Sequence, residues 1–409
     1  MEYKIHDIDG LTVITAPMIS STTVTSELYV KAGRIYENRT TNGLSHFLEH
    51  MFFKGSSKFN TPKKVSQAIE SFGGKFNAYT GSEYAWYYIK SAPDYLDRSL
   101  EILGDLMCNP IFDPAEVKKE QWVVIQEIKM YDDEPRDLIW RNWREWYIWD
   151  NSFWRSTLGP EENVANFTQK DLFQHKNNLY TKDNLILVIA WNIRDEDHVL
   201  KLVDKYFEKL PKISNYKEPS YISHKPKDKI YKYDKWVSQN HLVMYADWFG
   251  RNEWDFRMYC TKILTKIIGW NTSSRLWQKL REEMWLCYYV GMWHQRYKEF
   301  GTYHIYAWLD KNNFDRWVQE IHNQLDEVVN KWITEKEFDF ALNNMLGSLQ
   351  MGIETSSWLS DWIWSDYLLY NKIHTIDDVV KQYKSITMQD IKNITPTLSK
   401  ENRYLTYID

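Results

Sequence analysis

Apolar and polar residues alternate along Leu11–Ile19, Glu83–Lys90 and Tyr303–Leu309, which predicts half-buried strands. Elsewhere the period is helical. Leu44, Phe47, Leu48 and Met51 fall at i, i+3, i+4 and i+7, one buried stripe. From Asp113 to about Asp132, Val117, Val124, Ile125 and Ile128 supply the apolar side of a long helix that Asp113 opens and Pro135 ends. The strands do not alternate regularly with helices, so the pattern predicts an α+β fold rather than a doubly wound sheet.

The layout occurs twice. Asp113-Pro-Ala-Glu116 and Thr334-Glu-Lys-Glu337 both read as helix-opening capping boxes and lie 221 residues apart. Thr168-Gln-Lys-Asp171, then a strand from Asn184, matches Thr387-Met-Gln-Asp390, then a strand from Asn402, at offsets of 219 and 218. Three pairs at nearly one offset predict a duplicated domain. Between the copies runs a polar stretch with three Pro and many Lys, so the expected division is 1–210, a linker 211–234, and 235–409.

Composition narrows the function classes. The 409 residues are 43% hydrophobic and 26% charged, enough apolar material for two cores. A net charge of −5 without a basic block argues against nucleic acid as the main partner. The N-terminus has no apolar h-region and no uncharged apolar run reaches spanning length, so a cytoplasmic protein without a membrane partner is expected. Cys108, Cys260 and Cys287 are odd in number and widely spaced, neither a disulfide framework nor a zinc cluster.

The chemistry concentrates in His46-Phe-Leu-Glu49-His50. On a helix these three polar residues converge at i, i+3 and i+4, away from the apolar stripe. Two imidazoles one turn apart suit zinc, which needs a third protein ligand and an open position, and Glu49 between them can take a proton from water. This is the H-x-x-E-H order. On the helix after Asp113, Glu120 and Glu127 are two turns apart on one face, and either could complete the site.

HFLEHMFFKG, then FGGKFNAYTGSEY, then a glutamate 77 residues after the second histidine resembles the pitrilysin family of zinc metallopeptidases across essentially the whole chain. The resemblance implies one zinc held by His46, His50 and Glu127, with Glu49 as general base and Glu120 as the second acidic residue supporting the ligands. It also implies that Asn77 and Ala78, on an edge strand, contact a peptide added to the sheet. The second half has no H-x-x-E-H. There, SSRLWQKLREEMWLCYYVG is similar to the family segment whose Arg and Tyr reach the active site, here Arg281 and Tyr288, with Tyr289 alongside. Two homologous domains closing as a clamshell on peptides or unfolded proteins are therefore expected. A non-catalytic partner subunit and a single-cut presequence-processing peptidase are the alternatives, and a homodimer is allowed.

The departures from the family cluster on tryptophan. The chain has 21 Trp and 15 Gly, whereas average usage of about 7% would give roughly 29 Gly. Trp154, Trp191, Trp270, Trp285, Trp308 and Trp332 stand where glycine would be ordinary. The hypothesis is a gene that uses UGA for glycine but was translated with UGA as tryptophan; the competing reading is a genuinely aromatic-rich protein with an aromatic-lined chamber.

Overall fold

The computed structural model describes residues 2–148, 152–193, 195–216, 219–221, 225–251, 256–352 and 354–409. Residues 217, 218 and 222–224 of the polar stretch between the halves lie outside the described residues. The chain forms two compact units, one of residues 1–130, 150–220 and 353–373, the other of 131–149, 221–352 and 374–409.

The first unit holds a six-stranded sheet of β1 (Lys4–Ile8), β2 (Leu11–Pro17), β3 (Val24–Val30), β4 (Lys75–Thr80), β5 (Ala85–Ser91) and β6 (Leu185–Trp191). Its order is β1-β2-β6-β3-β5-β4, with β2 and β6 parallel and all other neighbours antiparallel. The second unit holds β7 (Ile230–Tyr233), β8 (Asn240–Trp248), β9 (Cys287–Arg296), β10 (Gly301–Leu309) and β11 (Tyr404–Ile408), in the order β7-β11-β8-β10-β9. Here β7 and β11 are the parallel pair. Without the β1 hairpin strand the two sheets share order and strand direction, so the repeat in the sequence is a repeat of fold. Mixed, mostly antiparallel sheets with packed helices make both units α+β.

The capping signals act as helix starts. Thr168 with Asp171 and Thr387 with Asp390 form reciprocal boxes, as do Thr334 and Glu337. At the fourth site Asp113 accepts the Ala115 N–H, while Glu116 turns instead to Lys119.

On one face of the first sheet, Phe47, Leu48 and Met51 of helix Leu44–Phe52 and Leu100 and Leu103 of helix Leu96–Cys108 join the main core, all buried. The other face is covered by a helix from late in the sequence, Ser356–Tyr370, whose Leu359, Ile363 and Trp364 pack on Ile14, Tyr29, Ile186 and Val188. The reciprocal holds in the second unit, where helix Pro135–Ile148 from the first half packs on β8 and β11. Pro135 and Ser356 are 221 residues apart, the offset of the capping boxes. The two helices are thus equivalent copies, each incorporated in the unit built mainly from the other half.

Candidate metal centre

The helix Leu44–Phe52 starts at Gly43, whose own side chain can cap nothing. Its orphan N–H groups are met by Glu37, buried six residues upstream. Glu37 Oε2 accepts from Gly43 N at 2.8 Å and Oε1 from Ser45 N at 2.7 Å, with Asn42 Nδ2 a third donor at 2.9 Å. Gly43 lies at φ 97°, and a Cβ there would sit 2.5 Å from the Leu158 carbonyl oxygen, so only glycine lets the two backbones meet. Ser45 Oγ and His175 Nε2, both buried, bond at 2.9 Å behind the helix. The first turn, which carries His46, is therefore fixed at several points.

On the facing side, helix Pro114–Asp133 presents Glu120 and Glu127 two turns apart. The structure brings His46, His50 and Glu127 together, with donor atoms all within 4.8 Å of one another. Glu127 Oε2 is 3.8 Å from His46 Nε2 and 3.7 Å from His50 Nε2. These separations are too long for hydrogen bonds. They are close to the roughly 3.4 Å between ligand atoms around a tetrahedral zinc with bonds of about 2.0–2.1 Å.

Glu120 is 3% exposed and is not a member of this group. It accepts from His50 Nδ1 at 2.8 Å and from Lys54 Nζ at 2.5 Å. A carboxylate accepts only, so His50 carries a proton on Nδ1, which leaves Nε2 as the nitrogen on the Glu127 side. Burial alone would raise the Glu120 carboxyl, but the His50 and Lys54 contacts outweigh it and hold the group low. His46 has no such partner: its Nδ1 is buried and meets no hydrogen-bond donor or acceptor among the described residues. Burial, reinforced by His50, lowers His46 to about 3, so the ring is neutral and its lone pair available. For His50, burial pulls the pKa down, yet the bond to Glu120 and the nearby Glu49 and Glu127 charges raise it overall. Burial raises both Glu49 and Glu127. Two neutral-capable imidazoles and one carboxylate, converging in a partly buried site, form a donor set that fits a zinc ion.

Glu49 is not one of these donors; its Oε2 accepts a hydrogen bond from Thr80 Oγ1 at the end of β4. Asn77 is exposed on β4, and its Oδ1 accepts the Ala78 N–H at 3.0 Å. Among the described residues β4 is the last strand of its sheet and pairs only with β5. Arg281 and Tyr288 belong to the second unit, Arg281 on the helical segment Trp277–Glu283 and Tyr288 at the start of β9. The Arg281 guanidinium lies 4.2 Å from the Trp277 ring and 5.8 Å from the Tyr288 ring. Tyr288 is 67% exposed against 38% for Tyr289, which makes it the freer phenol of the two. Tyr288 and Tyr289 line a cavity of about 1010 Å³ with Arg136, His241, Tyr306 and Trp308.

Three contributors escape sequence reasoning: Glu37, Lys54 and Thr80. Thr80 lies in the FNAYTGSEY segment, but no spacing rule connects it with Glu49, 31 residues earlier. Glu37 follows no local capping pattern because it acts from outside the helix.

Residues 12–161 match the family described as insulinase (peptidase family M16), and residues 166–345 match its inactive domain. A Bacillus subtilis protein named uncharacterized zinc protease YmxG is 30% identical over 384 residues, 93% of this chain and 91% of its own length. A Rickettsia felis protein named uncharacterized zinc protease is 30% identical over 387 residues, 94% and 92% of the two chains. Among solved structures, a protease from Helicobacter pylori shares the fold with a TM-score of 0.90 at 21% identity, covering 100% of this chain and 99% of that one. An M16 inactive domain from Pseudomonas fluorescens does so at 0.89 and 15% identity, over 100% and 98%. No helix among the described residues is long and apolar enough to cross a membrane. With the H-x-x-E-H helix and the acidic helix facing it inside the first of two matching domains, this chain belongs to the insulinase family of peptidases, M16.

Proposed function

We propose that this protein is a zinc-dependent endopeptidase acting on peptides and unfolded proteins, with one zinc held by His46, His50 and Glu127. The observation that carries the reading is the convergence of those three donors while Glu120 is engaged by His50 and Lys54. Zinc at that position supplies Lewis-acid polarisation of the scissile carbonyl and of water. The chain's own residues do the rest. Glu49, adjacent but outside the donor triangle, takes a proton from water and returns it to the leaving amine. Glu120 orients His50. The free edge of β4 binds extended peptide through backbone hydrogen bonds, with Asn77 and Ala78 as the contact residues, which makes recognition broadly independent of side chains. Arg281 and Tyr288 of the second unit supply donors to the developing oxyanion.

The test is digestion of a mixed peptide library by the full chain, with and without chelator and after zinc is restored, alongside Glu49→Gln. The reading expects chelation to abolish cleavage, zinc to restore it, and Glu49→Gln to keep about one zinc per chain while losing nearly all turnover. Cleavage that survives complete removal of zinc would overturn it.

A further inference from the structure

We infer that Thr80 is a positioning residue that ties the proton-transferring carboxylate of Glu49 to the edge strand β4. The inference rests on the endopeptidase reading above for the role of Glu49 and goes beyond it in naming what aims that group. Thr80 is the last residue of β4 and 5% exposed. Strand alternation decides its direction: Lys75, Asn77 and Tyr79 are exposed, while Phe76, Ala78 and Thr80 turn toward the helix that carries Glu49. Its Oγ1 donates to Glu49 Oε2, and this is the one hydrogen bond the Glu49 carboxylate receives among the described residues. In the core below, the Tyr87 and Tyr180 hydroxyls bond to each other at 2.7 Å.

The arrangement has a consequence for geometry. A glutamate has three side-chain torsions, and without a fixed donor its carboxylate samples several rotamers. Thr80 is β-branched, so its own χ1 is restricted, and in a strand it presents a hydroxyl of nearly fixed direction. Holding Oε2 leaves Oε1 as the oxygen that exchanges the proton. Because Thr80 is on the strand that receives peptide, the base and the peptide backbone share one rigid support. Peptide binding does not need the Thr80 hydroxyl; alignment of the base does.

The experiment uses the full zinc-loaded chain and a fluorogenic peptide, comparing Thr80→Val, Thr80→Ser and Thr80→Ala. Val keeps the shape and loses the donor, Ser keeps the donor, and Ala loses both. Thr80→Val and Thr80→Ala should keep their zinc and their KM while kcat falls about 10- to 100-fold, the usual scale for a catalytic group displaced by about 1 Å. Thr80→Ser should recover most of the loss. A Val variant with normal kcat would overturn the inference, as would a Ser variant as slow as Val, or a rise in KM at constant kcat. Glu49→Gln run in parallel separates the two levels: turnover retained there overturns the role of Glu49 itself, whatever Thr80 does.

Discussion

At position 332 the backbone takes φ 70° and ψ −169°, a region populated almost only by glycine. Trp332 occupies it at the end of helix Phe314–Lys331, where its N–H closes back on the Glu327 carbonyl, as glycine does in a C-terminal helix cap. Trp285 sits at φ 58° just past the segment Trp277–Glu283 with its indole 84% exposed, so no packing offsets the strain. At Trp154, Trp191, Trp270 and Trp308 the backbone stays out of the positive-φ region, and Trp154 is buried, so the backbone argument bears on two of the six positions. We predict that protein isolated from its native source carries glycine at 285 and 332. Peptide mass spectrometry decides this, and tryptophan at both would end the recoding idea. In recombinant protein made with tryptophan, Trp285→Gly and Trp332→Gly should each raise stability by about 1 kcal/mol or more. A second expectation concerns Glu120. Replacing it with Gln removes the carboxylate that fixes His50, and zinc affinity measured against a competing chelator should fall about 10- to 100-fold. Unchanged affinity would show that His50 is oriented by packing alone.

Strand β3 shows where sequence patterns stop being informative. Its residues, VTSELYV, are buried on both sides, so no alternation marks the strand, and Glu27 in its centre would read as a surface residue. In the structure Glu27 lies under helix Ser356–Tyr370, accepting from Tyr29 and from Ser360 Oγ at 2.6 Å. Burial, then the neighbouring Asp361 charge, pushes its carboxyl up to about 8; the Ser360, Tyr29 and Lys90 contacts oppose this without prevailing. Asp361 is itself raised by burial, so the two acids titrate together. The folded protein thus holds a proton that the unfolded chain, with an ordinary carboxyl near 4.3, releases. Stability from this group is present at low pH and declines as pH rises from about 4.5 to about 8, by up to about 1.4 kcal/mol per pH unit, then levels off. Glu27→Gln cannot ionise. Denaturant unfolding of both proteins between pH 5 and 9 should therefore show wild type losing ground to the variant up to about pH 8. A constant difference would mean that Glu27 is charged in the fold. By contrast, the H-x-x-E-H helix is legible because its apolar stripe, its spacing and its polar face all obey one period. Glu37, Thr80 and Glu27 act across long sequence separations, and no local period records such contacts.

Duplication is written into the chain as repeated capping boxes, but the exchange of helices between the halves is not, because each helix has the same local pattern whichever sheet it covers. The exchange changes what counts as a domain. A fragment of residues 1–210 contains every strand of the first sheet and all the proposed zinc ligands, yet lacks helix Ser356–Tyr370. Ile14, Ile186, Val188 and Tyr29, each at most 6% exposed, would then face water on one side of the sheet. At about 1.5–3 kcal/mol for each large side chain, the loss is comparable with the entire stability of a typical domain, about 5–15 kcal/mol. Uncovering Glu27 would relieve its burial, but one relieved carboxyl does not offset four apolar groups. We therefore predict that residues 1–210 alone fail to unfold cooperatively and bind a hydrophobic dye, while the same fragment with residues 354–373 attached through a flexible linker regains a sharp transition and binds zinc. The comparison is made by denaturant titration and by zinc content. A bare 1–210 fragment with a cooperative transition and full zinc would show that the sheet does not need the helix. If the repaired fragment binds zinc but cleaves peptides far more slowly than the full chain, the missing activity belongs to the second unit, where Arg281 and Tyr288 reside. Supplying that unit as residues 131–149, 221–352 and 374–409 is not possible in one natural segment, so Arg281→Ala and Tyr288→Phe in the full chain complete the argument. Both should lower kcat more than they raise KM and leave zinc content unchanged; an effect on KM alone would assign them to peptide binding rather than to the transition state.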